Sequence, residues 1–103
     1  MSVLLNFAMF PTDKGASVSQ YVSKVLECVR ESGVAYRLNS MGTTIETETL
    51  EEALQVVNKA YLILEPVADR IYSTISIDAR KGPLGRMDGK IQAVERKIGK
   101  LNK

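Results

Sequence analysis

The side chains in this chain that could carry out chemistry are few in kind. Its 103 residues include no histidine and a single cysteine, Cys28. A histidine general base and, within one chain, a disulfide or a Cys/His zinc site are therefore excluded. Cys28 lies beside the apolar stripe of a predicted helix, where a free cysteine is usually a small buried hydrophobic residue. We predict no catalytic residue, no metal site and no cofactor; an enzyme using Asp78, Glu46 and Arg80 is the weaker alternative.

The remaining polar candidates alternate with apolar residues along the predicted strands. Successive side chains of a strand point to opposite faces, so the apolar set is expected to meet the helices and the polar set to face away. The face without helices is predicted to carry Asn6, Asn39, Thr44, Glu46 and Asp78. This face is either solvated, packed against another subunit, or a ligand site. Replacing Glu46 there is expected to weaken ligand binding with little loss of fold stability.

Four strands position these residues, and they are predicted over residues 3–9, 34–39, 43–48 and 70–80. The first is an apolar run that stops before Pro11, and the middle two form a hairpin. In the last strand apolar and polar residues alternate. In the last strand Ile75 and Ile77 are expected to meet the helices. Gly42 in the hairpin turn is predicted to adopt a positive φ, which alanine resists.

Helices are predicted after the first, third and fourth strands. The first two begin at capping boxes that start with Ser17 and Thr49, and the third covers residues 87–101. The order is therefore β-α-β-β-α-β with an added C-terminal helix. This order predicts one α+β domain spanning residues 1–103, a ferredoxin-like βαββαβ sandwich whose first and third strands are central.

Charge and hydropathy argue against two classes of partner. The net charge of +2 is too small to indicate a polyanion, and Glu46 and Glu48 on the third strand would repel phosphate groups. We therefore expect no nucleic-acid partner. No apolar run approaches the ~20 residues of a membrane span, and residues 1–10 lack the basic start of a signal peptide. The expected location is the cytoplasm, with no membrane association.

The last helix carries a narrow apolar seam, and its members are spaced 4, 3, 4 and 3 residues apart: Met87, Ile91, Val94, Ile98 and Leu101. The seam either lies across the chain's own sheet or packs against another subunit. A domain of this size buries a modest share of its surface and gains from association. We predict a homo-oligomer, a dimer or a tetramer.

The hairpin carries the most specific pattern in the chain. Residues 36–46 read YRLNSMGTTIE and resemble the Y-x-L-x-x-M-G-T-x-[IL]-E signature of a small thiamine-binding protein family. Residues 9–11, 17–22, 75–80 and 94–97 add weaker matches in the same order. The resemblance implies a ferredoxin-like fold, dimers assembled into tetramers, and binding of thiamine or its hydroxymethylpyrimidine part without known catalysis. It adds Met41 and Thr43 to the candidate ligand site.

Two positions depart from the family pattern. Asn6 stands where the family commonly has glutamate, and Thr47 stands where it has glycine. An aminopyrimidine suits the amide, hydroxyl and carboxylate groups of Asn6, Asn39, Thr44, Glu46 and Asp78. A thiazolium cation suits the aromatic face of Tyr36 or Tyr72. Strand parity puts Tyr36 on the helix side, which leaves open whether it shares a pocket with the carboxylates.

The sequence is compatible with two functions from different classes. The first is non-enzymatic binding of thiamine or its hydroxymethylpyrimidine moiety, in salvage or transport. The alternative is a structural or regulatory homo-oligomer whose polar sheet face serves only subunit packing.

Overall fold

All four predicted strands and all three predicted helices are present in the structure, a computed structural model that describes residues 1–16 and 18–102. The elements, in chain order, are β1 (Ser2–Pro11), α1 (Ser19–Glu31), β2 (Ala35–Asn39), β3 (Gly42–Thr47), α2 (Leu50–Leu64), β4 (Ile71–Arg80) and α3 (Arg86–Ile98). A short 3-10 turn, Glu65–Val67, carries Pro66 and ends the second helix. The predicted element order is confirmed.

The four strands form one antiparallel sheet in the order β2-β3-β1-β4. The central pair is β1 and β3, as the ferredoxin-like prediction requires. Leu4 lies opposite both Glu46 and Asp78, and Asn6 lies opposite Thr44. Residues directly opposite one another share a face, so four of the five predicted polar residues, Asn6, Thr44, Glu46 and Asp78, lie on one side of the sheet.

The core lies on the other side of the sheet, under α1 and α2. The alternate residues of β1, which are Val3, Leu5, Phe7 and Met9, are all buried. They pack with Val25 and Val29 of α1 and with the buried stripe of α2, which is Ala53, Val56, Val57, Ala60 and Leu64. Burying an aliphatic or aromatic side chain of this kind contributes roughly 1.5–3 kcal/mol, so β1 anchors both helices.

The two predicted capping boxes have different outcomes. At the start of α2 the hydroxyl of Thr49 accepts a hydrogen bond from the backbone N–H of Glu52 at 3.2 Å and donates to that residue's carboxylate at 2.9 Å. Thr49 is therefore the N-cap as predicted, while the carboxylate of Glu52 bonds to its hydroxyl rather than to its backbone N–H. Ser17, the residue predicted to cap α1, lies outside the described residues; α1 itself begins at Ser19, with Val18 in the capping position.

Two isoleucines of β4 are not covered as predicted. Ile75 and Ile77 lie opposite Phe7 and Leu5 and so face the helix side, yet each remains 46% exposed. The expectation that the helices bury them is wrong, because β4 is an edge strand, while α2 packs against the central strands β1 and β3 and α1 against β1. An apolar strip is therefore left beside β4.

Gly42 is required for a reason other than the one predicted. It does not adopt a positive φ, which excludes the predicted turn geometry. A Cβ built at Gly42 would instead lie 2.9 Å from the backbone oxygen of Phe7 and 3.4 Å from the amide nitrogen of Asn6. Close approach of β1 and β3, and not backbone conformation, is what demands glycine here.

The face predicted to be uncovered is partly covered by α3. An ion pair between Arg37 of β2 and Asp88 joins the first turn of this helix to the sheet. Glu46 of β3 contacts the same turn. Within residues 1–16 and 18–102, no helix has the length and hydropathy needed to cross a membrane.

Candidate functional site

The eight predicted site residues fall into two groups on opposite sides of the sheet. Tyr36, Asn39, Met41 and Thr43 line the space between α1 and the β2–β3 hairpin. The other four face α3 or the polar side of the sheet, and they are Asn6, Thr44, Glu46 and Asp78. The structure does not bring the two groups into a single pocket.

The hairpin side forms what we call the hairpin groove, two adjoining cavities of about 500 and 330 Å³ between α1 and the hairpin. The cavities share Val22, Leu26 and Leu38, so they lie side by side along α1. Their size is within the usual range for small-molecule sites. The groove exists because β2 is an edge strand, and α1 leaves the helix-facing side chains of that strand uncovered.

The turn at one end of the groove is built by the signature residues. The side-chain oxygen of Asn39 accepts a hydrogen bond from the backbone N–H of Met41 at 2.7 Å, which fixes the turn and leaves the amide NH₂ as a donor. Thr43 is buried opposite Phe7. Met41 is 84% exposed at the tip of the turn.

The chemistry of the groove comes from an aromatic ring and a carboxylate. Tyr36 lies on the helix side of β2, opposite the buried Ile45, and it lines the larger cavity together with Glu27 of α1. An aromatic face and a carboxylate in one groove suit a flat cation. Arg30 of α1 lines the same cavity and provides a donor for acceptor groups.

Sequence reasoning missed Glu27 and Arg30. Both are exposed residues on the flank of α1, where charged side chains are usually solvated and give no signal of a site. The available signal was topological: α1 leads directly into β2, so a flank of this helix must run beside Tyr36.

Asn6 and Thr44 bond to each other on the polar side of the sheet. The hydroxyl of Thr44 donates to the side-chain oxygen of Asn6 at 3.0 Å, across the central strand pair. This bond gives the amide on β1 a partner within the sheet. The departure from glutamate at position 6 therefore leaves a satisfied pair of neutral groups.

Glu46 does not lie free on an open face. It is only 6% exposed, and its carboxylate accepts hydrogen bonds from the hydroxyl of Ser2 at 2.6 Å and from the backbone N–H groups of Gly85 at 3.0 Å and Arg86 at 3.3 Å. The N–H groups belong to the start of α3, so Glu46 caps that helix from a neighbouring strand.

The hydrogen bonds set the charge state of Glu46. Burial alone would raise the pKa of this carboxyl, but the bond from Ser2 and the backbone N–H groups of residues 85–87 outweigh it and hold the pKa below its ordinary value of 4.5. The structure replaces the expectation that Glu46 can be changed with little loss of stability by the opposite prediction, since the carboxylate bonds to the start of α3.

Asp78 is paired with Arg86. The guanidinium donates to the carboxylate of Asp78 at 3.1 Å, to its backbone oxygen at 2.7 Å, and to the hydroxyl and backbone oxygen of Ser2 at 3.0 and 2.8 Å. Arg86 therefore joins the start of β1 and the end of β4, which are paired with each other, to α3. Neither Ser2 nor Arg86 was identified from the sequence, because a lone serine and a lone arginine match no periodic pattern.

Cys28 is half-buried on α1, and burial, followed by the charge of Glu31, raises the pKa of its thiol. A thiol with a raised pKa is a poor nucleophile at neutral pH. Across residues 1–16 and 18–102, no group of three or more His, Cys, Asp or Glu side chains is placed to hold a metal ion.

The fold and the groove define a ferredoxin-like α+β domain with a small-molecule-sized site between a helix and a hairpin. A family described as "Thiamine-binding protein" matches residues 5–95. The chain belongs to this family. It is 34% identical over 83 residues to a UPF0045 protein of Methanothermobacter thermautotrophicus, covering 80% of this chain and 84% of that protein.

Solved structures agree with this assignment. The structure of the hypothetical protein MJ1052 of Methanocaldococcus jannaschii superimposes with a TM-score of 0.79 at 33% identity, covering 90% of this chain and 95% of that one. A Thermotoga maritima structure, provisionally described as a thiamine biosynthesis/salvage protein, gives a TM-score of 0.78 at 21% identity over 91% of this chain and 99% of that one. The second similarity supports the fold alone.

Proposed function

We propose that this protein binds thiamine or its hydroxymethylpyrimidine moiety in the hairpin groove, without catalysing a reaction. The observation that carries the proposal is that the turn residues of the family signature and the ring of Tyr36 line two adjoining cavities of the hairpin groove. The family name supports thiamine as the ligand. The cytoplasm is the compartment that fits a chain whose single cysteine is unpaired.

The groove offers a partner for each part of thiamine. The thiazolium cation fits against the ring of Tyr36 with the carboxylate of Glu27 as its counter-charge. The aminopyrimidine fits the turn, where the amide of Asn39 donates to ring nitrogens. Leu38 and Met41, both exposed beside the groove, provide apolar cover for the ligand.

The first test is calorimetric titration with thiamine and with hydroxymethylpyrimidine. Tyr36→Leu should weaken thiamine binding about 2- to 30-fold, the range of a cation–π contact. Tyr61→Leu is the matched control, since Tyr61 is 38% exposed against 36% for Tyr36 but lies on α2, outside the groove. Equal losses in the two variants, or no loss in either, would contradict the location.

The second test separates the two halves of the ligand. Glu27→Gln removes the counter-charge and keeps the shape, so it should weaken binding of the thiazolium-containing thiamine while leaving the uncharged hydroxymethylpyrimidine unaffected. Equal weakening of both ligands would show that Glu27 does not contact the thiazolium. Incubating either ligand with the protein and separating the products by chromatography tests the absence of catalysis; any turnover above a protein-free blank refutes it.

We also propose that the chain forms a homo-oligomer, because two apolar surfaces remain open. The exposed strip at Ile75 and Ile77 runs along the free edge of β4. On α3 the seam is only partly covered: Ile91 is half-buried and Ile98 is 71% exposed. A second copy is the occupant that the family resemblance favours.

A further inference from the structure

A cavity of about 510 Å³ lies between α3, the end of β4 and the loop of residues 81–85. We call it the α3 cavity. Its floor is Leu4 on the polar side of the sheet, so it lies on the other side of the sheet from the hairpin groove. The predicted site residues account for only one of its lining side chains, Asp78.

The space exists because α3 presents small residues to it. Gly89 and Ala93 line the cavity from the helix, and a Cβ built at Gly89 meets no heavy atom within 4 Å. A glycine inside a helix costs about 1 kcal/mol relative to alanine. Leu4, Pro83 and Leu84 complete an apolar lining of the kind that holds the body of a small molecule.

The polar part of the lining is strongly basic. Arg80, Lys81, Arg86 and Lys90 line the cavity, against the single carboxylate of Asp78. The guanidinium of Arg86 already forms an ion pair with the carboxylate of Asp78. Among residues 1–16 and 18–102 the other three cations form no ion pair, so their charges are available to a ligand.

We propose that the α3 cavity binds a small molecule that carries a phosphate group on an apolar or aromatic body. The three available cations suit a doubly charged phosphomonoester better than a singly charged carboxylate, since arginine and lysine are the usual phosphate partners. The start of α3 does not compete for the phosphate, because Glu46 already occupies its N–H groups. This site is independent of thiamine binding in the hairpin groove.

The probe is phenyl phosphate, titrated by calorimetry at low salt, with phenol and inorganic phosphate as its two halves. Phenyl phosphate should bind at least about tenfold more tightly than either half, and its affinity should fall as salt screens the cations. Binding no tighter than that of inorganic phosphate would overturn the proposal, because it would mean that the cavity contributes nothing. So would no binding at about 1 mM.

Variants of the lining residues test whether phenyl phosphate binds in the α3 cavity. Gly89→Leu should fill the space and weaken phenyl phosphate about tenfold or more, whereas Gly89→Ala, which fits without contact, should bind within about twofold of the parent. Removing charge with Arg80→Gln and Lys90→Gln together should also cost about tenfold. Both of these residues are exposed, so this double variant decides the question even if Gly89→Leu fails to fold.

Thiamine titrated into the same variants keeps the two proposals apart. Filling or neutralising the α3 cavity should leave thiamine affinity unchanged. Phenyl phosphate binding that survives both Gly89→Leu and the charge-removing double variant refutes the α3 cavity, whatever the result for thiamine.

Discussion

Replacing Glu46 should release α3 from the sheet. The carboxylate accepts one hydrogen bond from Ser2 and two from the backbone at the start of the helix, and in Glu46→Ala all three donors lose their acceptor. Glu46→Gln keeps one oxygen but loses the charge and places an NH₂ group against backbone N–H donors. Both variants should therefore destabilise the protein, the alanine variant more.

The size of the effect follows from the number and burial of the donors. An unsatisfied buried donor costs about 1–3 kcal/mol, and losing an anion at a helix start costs about 0.3–1 kcal/mol. Because the carboxylate lies close beneath the surface, water can replace part of what the donors lose. We expect about 2–4 kcal/mol for Glu46→Ala and about 1–2 kcal/mol for Glu46→Gln. For a domain of this size the alanine variant should melt roughly 10–20 °C lower.

The measurement is urea unfolding, followed by circular dichroism at one fixed protein concentration, because association would shift the apparent stability. Hydrogen exchange adds the location of the change. In Glu46→Ala the backbone amides of α3 should lose more protection than the fall in global stability explains. The amides of the central strand β1 should lose only as much protection as global stability falls.

Glu48→Ala is the control, because Glu48 follows the same strand and is exposed. It should change the free energy of unfolding by less than about 0.5 kcal/mol. If Glu46→Ala is also within that limit, or if α3 stays as protected as in the parent, the carboxylate does not hold the helix and the reasoning fails.

Three further predictions follow from the fold. Because the pKa of Glu46 is lower in the folded protein than its ordinary 4.5, the stability that the carboxylate contributes is present above pH 4.5 and is lost as the pH falls through the folded pKa. The free energy of unfolding, measured in urea at several pH values, should therefore depend less on pH in Glu46→Gln than in the parent. The same pH dependence in both proteins would contradict this prediction. Gly42→Ala should destabilise by about 1–3 kcal/mol in thermal unfolding, since its Cβ meets the backbone of Phe7, and an unchanged melting temperature would refute the close approach. Ile91→Asp combined with Ile98→Asp should lower the mass measured by light scattering while circular dichroism survives; a parent that is already monomeric at high concentration refutes the seam as an interface.

Local patterns were sufficient to predict the fold. Strand parity predicted that Asn6, Thr44, Glu46 and Asp78 share the face away from the core, because successive side chains of a strand point to opposite faces. The capping box at Thr49 located the start of α2 within the chain, because its bonds span three residues. The hairpin was predicted from its turn and flanking strands. Each signal lies within a few residues, where sequence reasoning is strongest.

The interactions that place α3 could not be predicted in this way. Glu46 reaches Gly85 across 39 residues, and Arg86 reaches Ser2 across 84. Parity put Glu46 on the correct face but could not show that a helix would cover it. The same limit explains Ile75 and Ile77, whose exposure depends on how far α1 and α2 extend over the edge of the sheet, a tertiary property with no local signature.

The free edge of β4 has a consequence for the protein on its own. Ten residues, Ile71–Arg80, pair with β1 on one side, and the described residues provide no strand for the other. The segment contains no proline and pairs with β1 residue by residue without a bulge, so nothing in its backbone discourages a further strand from joining. A second copy that pairs with β4 would also cover the free backbone N–H and C=O groups of this edge. Where no copy pairs there, the edge remains a template for unrelated extended chains, and a variant held as a monomer is expected to precipitate on storage at high concentration.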